Sequence, residues 1–254
     1  MAKIPKTFML QDKTAIVVGT AENLSRHLAF ALAEVQAHVF FVSSDEETVK
    51  KATEEAYELG YKITGTSGDV TNALEVERIS KKAFEELGKV DILVNNAIVE
   101  FGKPFLEMSD REWKDVIETN VNPAYLWCKT VGRHMLARRN GRIINICSGL
   151  AVSAMPNRSA YCASMGAILQ LTKALAIEWV RQGIRVNAIG LGWFSQKDAS
   201  ETKGELDPLL RYIPMGRLGH PSDLGGLLVY LASDISDYVT GQIMFVDGGI
   251  INRP

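Results

Sequence analysis

Tyr161 opens the run Tyr161-Cys162-Ala163-Ser164-Met165, Ser148 stands thirteen residues before it, and Asn120 lies further upstream within Thr119-Asn120-Val121. The chemistry a tyrosine can offer is proton transfer, and its pKa decides how well. An unperturbed phenol titrates near 10, so only about one in a thousand is ionised at neutral pH. A base works best with its pKa near the working pH, and a fixed ammonium beside the phenol would bring it there. One helical turn on from Tyr161, the same-face positions are Ser164, Met165 and Ile168, none of them basic. Lys173 lies about three turns away, too far to reach back along a helix. Methionine has no charge and no donor, and its apolar bulk would raise the phenol pKa by desolvation.

Further segments join this set. Gly68-Asp69-Val70-Thr71, Asn95-Asn96-Ala97, Arg217-Leu218-Gly219, Val239-Thr240-Gly241-Gln242 and Val246-Asp247-Gly248-Gly249 follow one another along the chain. In this order, and over nearly the whole length, the sequence resembles the short-chain dehydrogenase/reductase family. The resemblance implies that Tyr161 is the general acid/base, that Ser148 orients the substrate oxygen, and that Asn120 holds a proton-relay water. It implies Gly19, Ser25, Asp69 and Asn95 as the remnants of a cofactor site, with Asp69 beside the adenine. The family's fourth catalytic member is a lysine four residues after the tyrosine, which also bonds the nicotinamide ribose. Here that position is Met165.

The cofactor outline departs from the family too. A dinucleotide site wants glycines between the first strand and its helix, for the tight turn and for close approach of backbone to pyrophosphate. Val18-Gly19-Thr20-Ala21-Glu22-Asn23-Leu24-Ser25 keeps only the first of the family's three glycines. Asn23 tolerates a positive φ, but Ser25 is expected to add a side chain where backbone and cofactor meet, and Glu22 a negative charge. Gly19 and Ser25 also have the spacing of the family's enoyl-reductase branch, which leaves the loop open to a nucleotide. That branch places its lysine seven residues after the tyrosine, where this chain has Ile168. Ser43 and Ser44 end the second apolar run, where an acid would select NAD or a basic residue NADP. Asp45 reads as a helix cap, and Arg26 either reaches a phosphate or is an exposed helix residue. Ile98 stands where the resemblance puts the nicotinamide ribose, Leu191-Gly192 replaces Pro-Gly, and Gln196 replaces a threonine that would hold the carboxamide.

The elements that must position these residues alternate. Lys13–Gly19, Val39–Val42, Ile63–Asp69, Asp91–Asn95, Arg142–Ser148, Arg185–Ile189 and Gln242–Asp247 read as short apolar strands. Leu24–Ala37, Glu46–Leu59, Ala73–Leu87, Ala160–Gln182 and a short helix from Pro221 to Ala232 carry helical spacing. Ser109 caps a long helix to about Arg139, interrupted near Pro123. Alternation of this kind predicts one α/β domain over 1–254, a Rossmann-like, doubly wound, seven-stranded parallel sheet. Residues 191–215 follow a strand end and read as a substrate lid or as a solvated connection.

Bulk properties narrow the partners. A net charge of −2 and a pI near 6.1 give no support for nucleic-acid or membrane binding. No uninterrupted apolar run reaches the roughly 18 residues of a membrane span, and the N-terminus lacks the apolar core of a signal peptide. Cys128, Cys147 and Cys162 have neither disulfide nor metal spacing, so they read as reduced thiols of a cytoplasmic protein, with Cys162 the one placed to be reactive. The expectation is a catalytically impaired subunit of the family that binds no cofactor tightly. It would pair through its long helices with an active, NAD-dependent paralogue acting on a hydroxyacyl-CoA, as a heterotetramer, against a homo-oligomer as the plainer case. Two other readings stay open: a working NAD(P)-dependent oxidoreductase with atypical contacts, and a different activity in the same crevice.

Overall fold

Seven of the apolar runs become seven parallel strands. The computed structural model describes residues 6–20, 24–195 and 208–252. The strands are β1 (Thr14–Gly19), β2 (His38–Ser43), β3 (Ile63–Ser67), β4 (Ile92–Asn96), β5 (Gly141–Ser148), β6 (Ile184–Leu191) and β7 (Ile243–Val246). They lie in the order β3-β2-β1-β4-β5-β6-β7, all parallel. The helices are α1 (Leu24–Glu34), α2 (Glu46–Glu58), α3 (Ala73–Leu87), α4 (Asp110–Asn120), α5 (Asn122–Arg138), α6 (Ser159–Trp179) and α7 (Ser222–Ala232).

The strands are apolar at nearly every position because both faces of the sheet are covered. Alternate residues go to opposite sides. Ala15, Val17, Val39, Phe41 and Val94 pack with Leu28 and Leu32 of α1, Ala52 of α2 and Leu228 of α7. Ile16, Val18, Phe40, Val42 and Leu93 pack with Ile79 of α3 and Trp127 and Val131 of α5. Burying each large side chain of this kind is worth about 1.5–3 kcal/mol.

Several boundaries differ from expectation for local reasons. The long helix capped by Ser109 is two helices, because Val121 ends α4 and Pro123 sits in the first turn of α5, where a missing N–H costs nothing. Ser109 forms a capping box with Glu112. Asp45 caps α2 by accepting the Thr48 amide. α6 with its 3-10 extension, Ser159–Gln182, is long and apolar enough by composition to cross a membrane. That holds although no apolar run in it is uninterrupted, because isolated charges such as Lys173 and Glu178 leave the average hydropathy high. Its apolar face is occupied by Ala160, Met165, Ile168, Leu169 and Ala176, all buried inside the protein. The large aromatic residues on the long helices divide between core and surface. Trp127 is fully buried, while Trp113 and Tyr125 remain exposed. Trp179 is partly buried and lies so close to Gly132 that a Cβ there would come within 2.8 Å of its ring.

Strand order reverses between β1 and β4, and the residues that end the central strands gather on one edge: Gly19, Asn96, Ser148 and Leu191. Open α/β sheets bind ligands at such a switch point.

Candidate active site

A crevice opens along that edge. It runs from Leu24, Asn96 and Ile98 past Ser148 and Tyr161 to Trp193 and Ile251. Tyr161 lies in the first turn of α6 and is 7% exposed. Ser148, at the end of β5, lines the crevice with the phenol, and its side chain accepts the Leu150 amide at 3.2 Å. Burial pushes the phenol up to about 12; the nearby Ser148 hydroxyl opposes this, Glu100 and Cys147 add to it, and Arg158 opposes it weakly. Met165 is fully buried one turn below, in an apolar group with Ala124, Cys147, Ile168 and Ala188. No ammonium therefore stands under the phenol, and the pocket that replaces it disfavours the phenolate.

Asn120 does not line the crevice. Its Oδ1 accepts the Val99 amide at 2.8 Å, and its Nδ2 donates to the Val99 carbonyl at 3.0 Å and to Ser164 Oγ at 3.1 Å. Ser164 in turn donates to the Tyr161 carbonyl at 2.8 Å. Both carboxamide donors are committed inside the protein, and the side chain clamps the segment after β4 to α6.

The cofactor-loop residues are placed differently from expectation. Ser25 is fully buried, and its hydroxyl accepts Asn96 Nδ2 at 2.8 Å. It occupies the space a Cβ at Gly19 would need. The serine therefore points inward, toward β1 and β4, and does not block the crevice; the missing Cβ of Gly19 lets α1 come close to the strand. Asn95 is also turned away from the crevice. Its Nδ2 donates to Asn145 Oδ1 at 2.8 Å, Asn145 donates to Thr172 Oγ1 at 2.8 Å, and the Asn95 Oδ1 is buried without a partner. Its neighbour Asn96 is the one on the crevice wall. Asp69 stands apart at the end of β3, exposed, its carboxylate held by the Thr71 hydroxyl and amide, which lower its pKa. Ile98 lines the crevice half-buried, as expected, and leaves it open. Glu22, Asn23 and Gln196 lie outside the described residues. Of the segment 191–215, Leu191 to Phe194 line the crevice, and Phe194 bridges to Gly219.

At the end of β2, Ser43 is buried and bonds the Thr20 carbonyl at 3.3 Å. Arg26 is paired with Glu55 and lies over the Phe30 ring, so it is not held out toward a phosphate. The residues present thus fit the nicotinamide end of a dinucleotide, where the crevice is open beside Asn96, Leu191 and Gly192. Among the described residues there is no charged selector at the adenosine end.

Two further residues complete the site: Arg158, with its Nη1 at 3.4 Å from Glu100 Oε2, and Glu100 itself, both on the crevice wall. Arg158 stands three residues before Tyr161, so the i, i+3 spacing of a helix face was readable backward from the tyrosine as well as forward. Cys147 is on the wall too, its thiol pushed up to about 12 by burial. Cys162 is partly exposed outside it.

A family model described as Enoyl-(Acyl carrier protein) reductase matches residues 19–251. The 5-keto-D-gluconate 5-reductase of Escherichia coli (strain K12) is 32% identical over 247 residues, 96% of this chain and 97% of that protein. The 2-dehydro-3-deoxy-D-gluconate 5-dehydrogenase of Dickeya dadantii (strain 3937) is 35% identical, covering 98% of this chain and all of its own. The crystal structure of a gluconate 5-dehydrogenase from Burkholderia cenocepacia J2315, in complex with NADP and tartrate, superposes with a TM-score of 0.89 at 30% identity, covering 98% of this chain and 99% of its own. With the sheet order, the Ser148–Tyr161 pair and these likenesses in hand, the chain belongs to the short-chain dehydrogenase/reductase family of oxidoreductases.

Proposed function

We propose that this chain is an NAD(P)-linked oxidoreductase working in the direction of carbonyl reduction, with Tyr161 as a proton donor that no lysine assists. The observation that carries it is that Ser148 and the buried phenol of Tyr161 face the same open crevice, with burial pushing the phenol up to about 12. A reduced nicotinamide bound beside Asn96 and Gly192 would supply a hydride to a carbonyl carbon. Ser148 donates a hydrogen bond to the carbonyl oxygen and orients it. Tyr161 carries the proton that oxygen needs. A protonated phenol is ready for reduction at neutral pH, whereas alcohol oxidation needs the phenolate. Burial also makes it a weak acid, so turnover is slow. The likenesses to keto-gluconate reductases and gluconate dehydrogenases support this reading, as does the inward-facing Ser25.

The test is to follow ketone reduction with NADH and NADPH, and alcohol oxidation with NAD and NADP, across pH 6–11 on the isolated chain. Reduction should be measurable at neutral pH and oxidation should climb steeply at the alkaline end. Absence of dinucleotide binding by calorimetry, together with no reduction at any pH, would overturn the proposal.

Met165 favours a second reading. With its proton-transfer cation gone, the chain would be a non-catalytic subunit binding no dinucleotide tightly, paired in the cytoplasm with a lysine-bearing paralogue that carries NAD(H). Such an assembly would resemble 2-(α-hydroxybenzyl)succinyl-CoA dehydrogenase. Purification of tagged chain from native extract separates the readings: a co-purifying paralogue with dehydrogenase activity supports the second, and a homo-oligomer alone rejects it.

A further inference from the structure

The polar side chains of the crevice are mostly committed inside the protein. Asn96 donates to Ser25. Ser153 donates to the Gly149 carbonyl at 2.9 Å. The Asp247 carboxylate accepts the Gly249 and Ile251 amides, each at 2.8 Å. Around the Ser148–Tyr161 pair, and apart from Arg158 and Glu100, the remaining side chains of the wall among the described residues are mostly apolar: Leu150, Met155, Trp193, Ile250 and Ile251. A polyhydroxylated acid entering here would leave hydroxyls without partners, and each unsatisfied polar group buried this way works against binding.

Arg158 is the one cation among the described residues of the wall. Its guanidinium is permanently charged and carries five donors in a fork that suits a carboxylate. Among the described residues Glu100 is its ion-pair partner, through one contact at 3.4 Å, and the Glu100 side chain is 67% exposed. Such a pair is weak, because the exposed carboxylate is already well solvated. Glu100 can swing into water and free the fork.

We infer that the crevice takes a small oxo acid with an apolar body, its carboxylate on Arg158 in place of Glu100 and its carbonyl on Ser148 and Tyr161. The inference rests on reading the crevice as a carbonyl site, and it departs from the sugar acids in the names of the relatives. Glu100 acts as a resident counter-ion: it keeps Arg158 paired when the crevice is empty and is displaced only by an incoming carboxylate, so a neutral ketone gains nothing from Arg158.

Calorimetric binding tests this without turnover, using 7-oxooctanoate, 7-oxooctanamide and 5-keto-D-gluconate on the full chain. The oxo acid should bind at least about tenfold more tightly than either of the others, the preference expected of a charge-assisted pair. Arg158→Gln should bring acid and amide to similar affinities while leaving the amide unchanged, which also shows that the crevice is intact. Glu100→Gln should tighten the acid a few-fold by removing its competitor. Equal binding of acid and amide by the wild-type chain, an acid preference that survives Arg158→Gln, or keto-gluconate binding as tightly as the oxo acid would each overturn the inference. If the acid binds through Arg158 and is not reduced with either dinucleotide, the substrate class stands and the reductase reading falls.

Discussion

Met165 and Tyr161 concentrate the chemistry of this chain in one helical turn. Met165→Lys would place an ammonium in a fully buried apolar pocket, where it is stable only against a phenolate. The expected outcome is a lower ionisation midpoint for Tyr161, followed by ultraviolet difference absorbance, and a rise in reduction rate of roughly a hundredfold or more. An unchanged midpoint would show that the ammonium does not reach the phenol. Tyr161→Phe should lower reduction by roughly a hundredfold to ten-thousandfold while dinucleotide affinity holds. The sign of the stability effect follows from the shift. The folded protein holds the Tyr161 proton more tightly than the unfolded chain, whose phenol titrates near 10. Its contribution is therefore complete below about pH 10 and lost as pH rises toward about 12. The difference in stability between the wild-type chain and the Tyr161→Phe variant, from denaturant melts, should change with pH only in that window.

At the scale of elements, one carboxamide ties α4 both to the segment after β4 and to α6. Asn120 satisfies the Val99 amide and carbonyl and bonds Ser164, which holds the backbone of Tyr161. Asn120→Ala would leave buried groups unpaired, at a cost of about 2–4 kcal/mol. Hydrogen exchange should speed up at Val99 and in the first turn of α6 more than elsewhere. A loss of activity without that local change would instead point to a direct chemical role. α5 and α6 meet as closely at Gly132, where Gly132→Ala should cost about 1–3 kcal/mol through the Trp179 clash, measurable as a shift in the urea midpoint.

Across the whole molecule, the end of the sheet opposite the crevice is closed by a buried carboxylate. Asp91 is 3% exposed, accepts the Thr14 amide, and pairs with Lys89 at 3.0 Å and Arg138 at 3.1 Å. Burial alone would raise its pKa, but these partners together hold it below the usual carboxylate range. Its stabilisation is therefore present above the unfolded value near 3.9 and is lost as pH falls below it. Asp91→Asn removes the charge-assisted bonds and should cost about 1–3 kcal/mol at neutral pH, since the Lys89 and Arg138 cations left behind are partly solvated. The mutant's urea midpoint should also change less than the wild type's between pH 7 and pH 3. Equal acid sensitivity in the two proteins would place the labile carboxylate elsewhere.

The seven strands, their parallel order and the helices between them follow from local pattern. Apolar runs of four to eight residues, separated by capped amphipathic stretches, have few ways to bury both faces of a sheet. The vacancy at the lysine position was equally legible, since helix spacing determines which residues can stand beneath Tyr161. Direction at the strand ends was not. Asn95 and Asn96 are adjacent and chemically identical, yet strand alternation sends one toward Asn145 and Thr172 and the other to the crevice beside Ser25. Which goes where depends on the helices covering each face. From spacing alone Ser25 looks like an obstacle, because spacing along a loop does not tell inward from outward. Arg158 and Glu100 lie 58 positions apart in the chain, and only the packing of α6 against the segment after β4 brings their charges together.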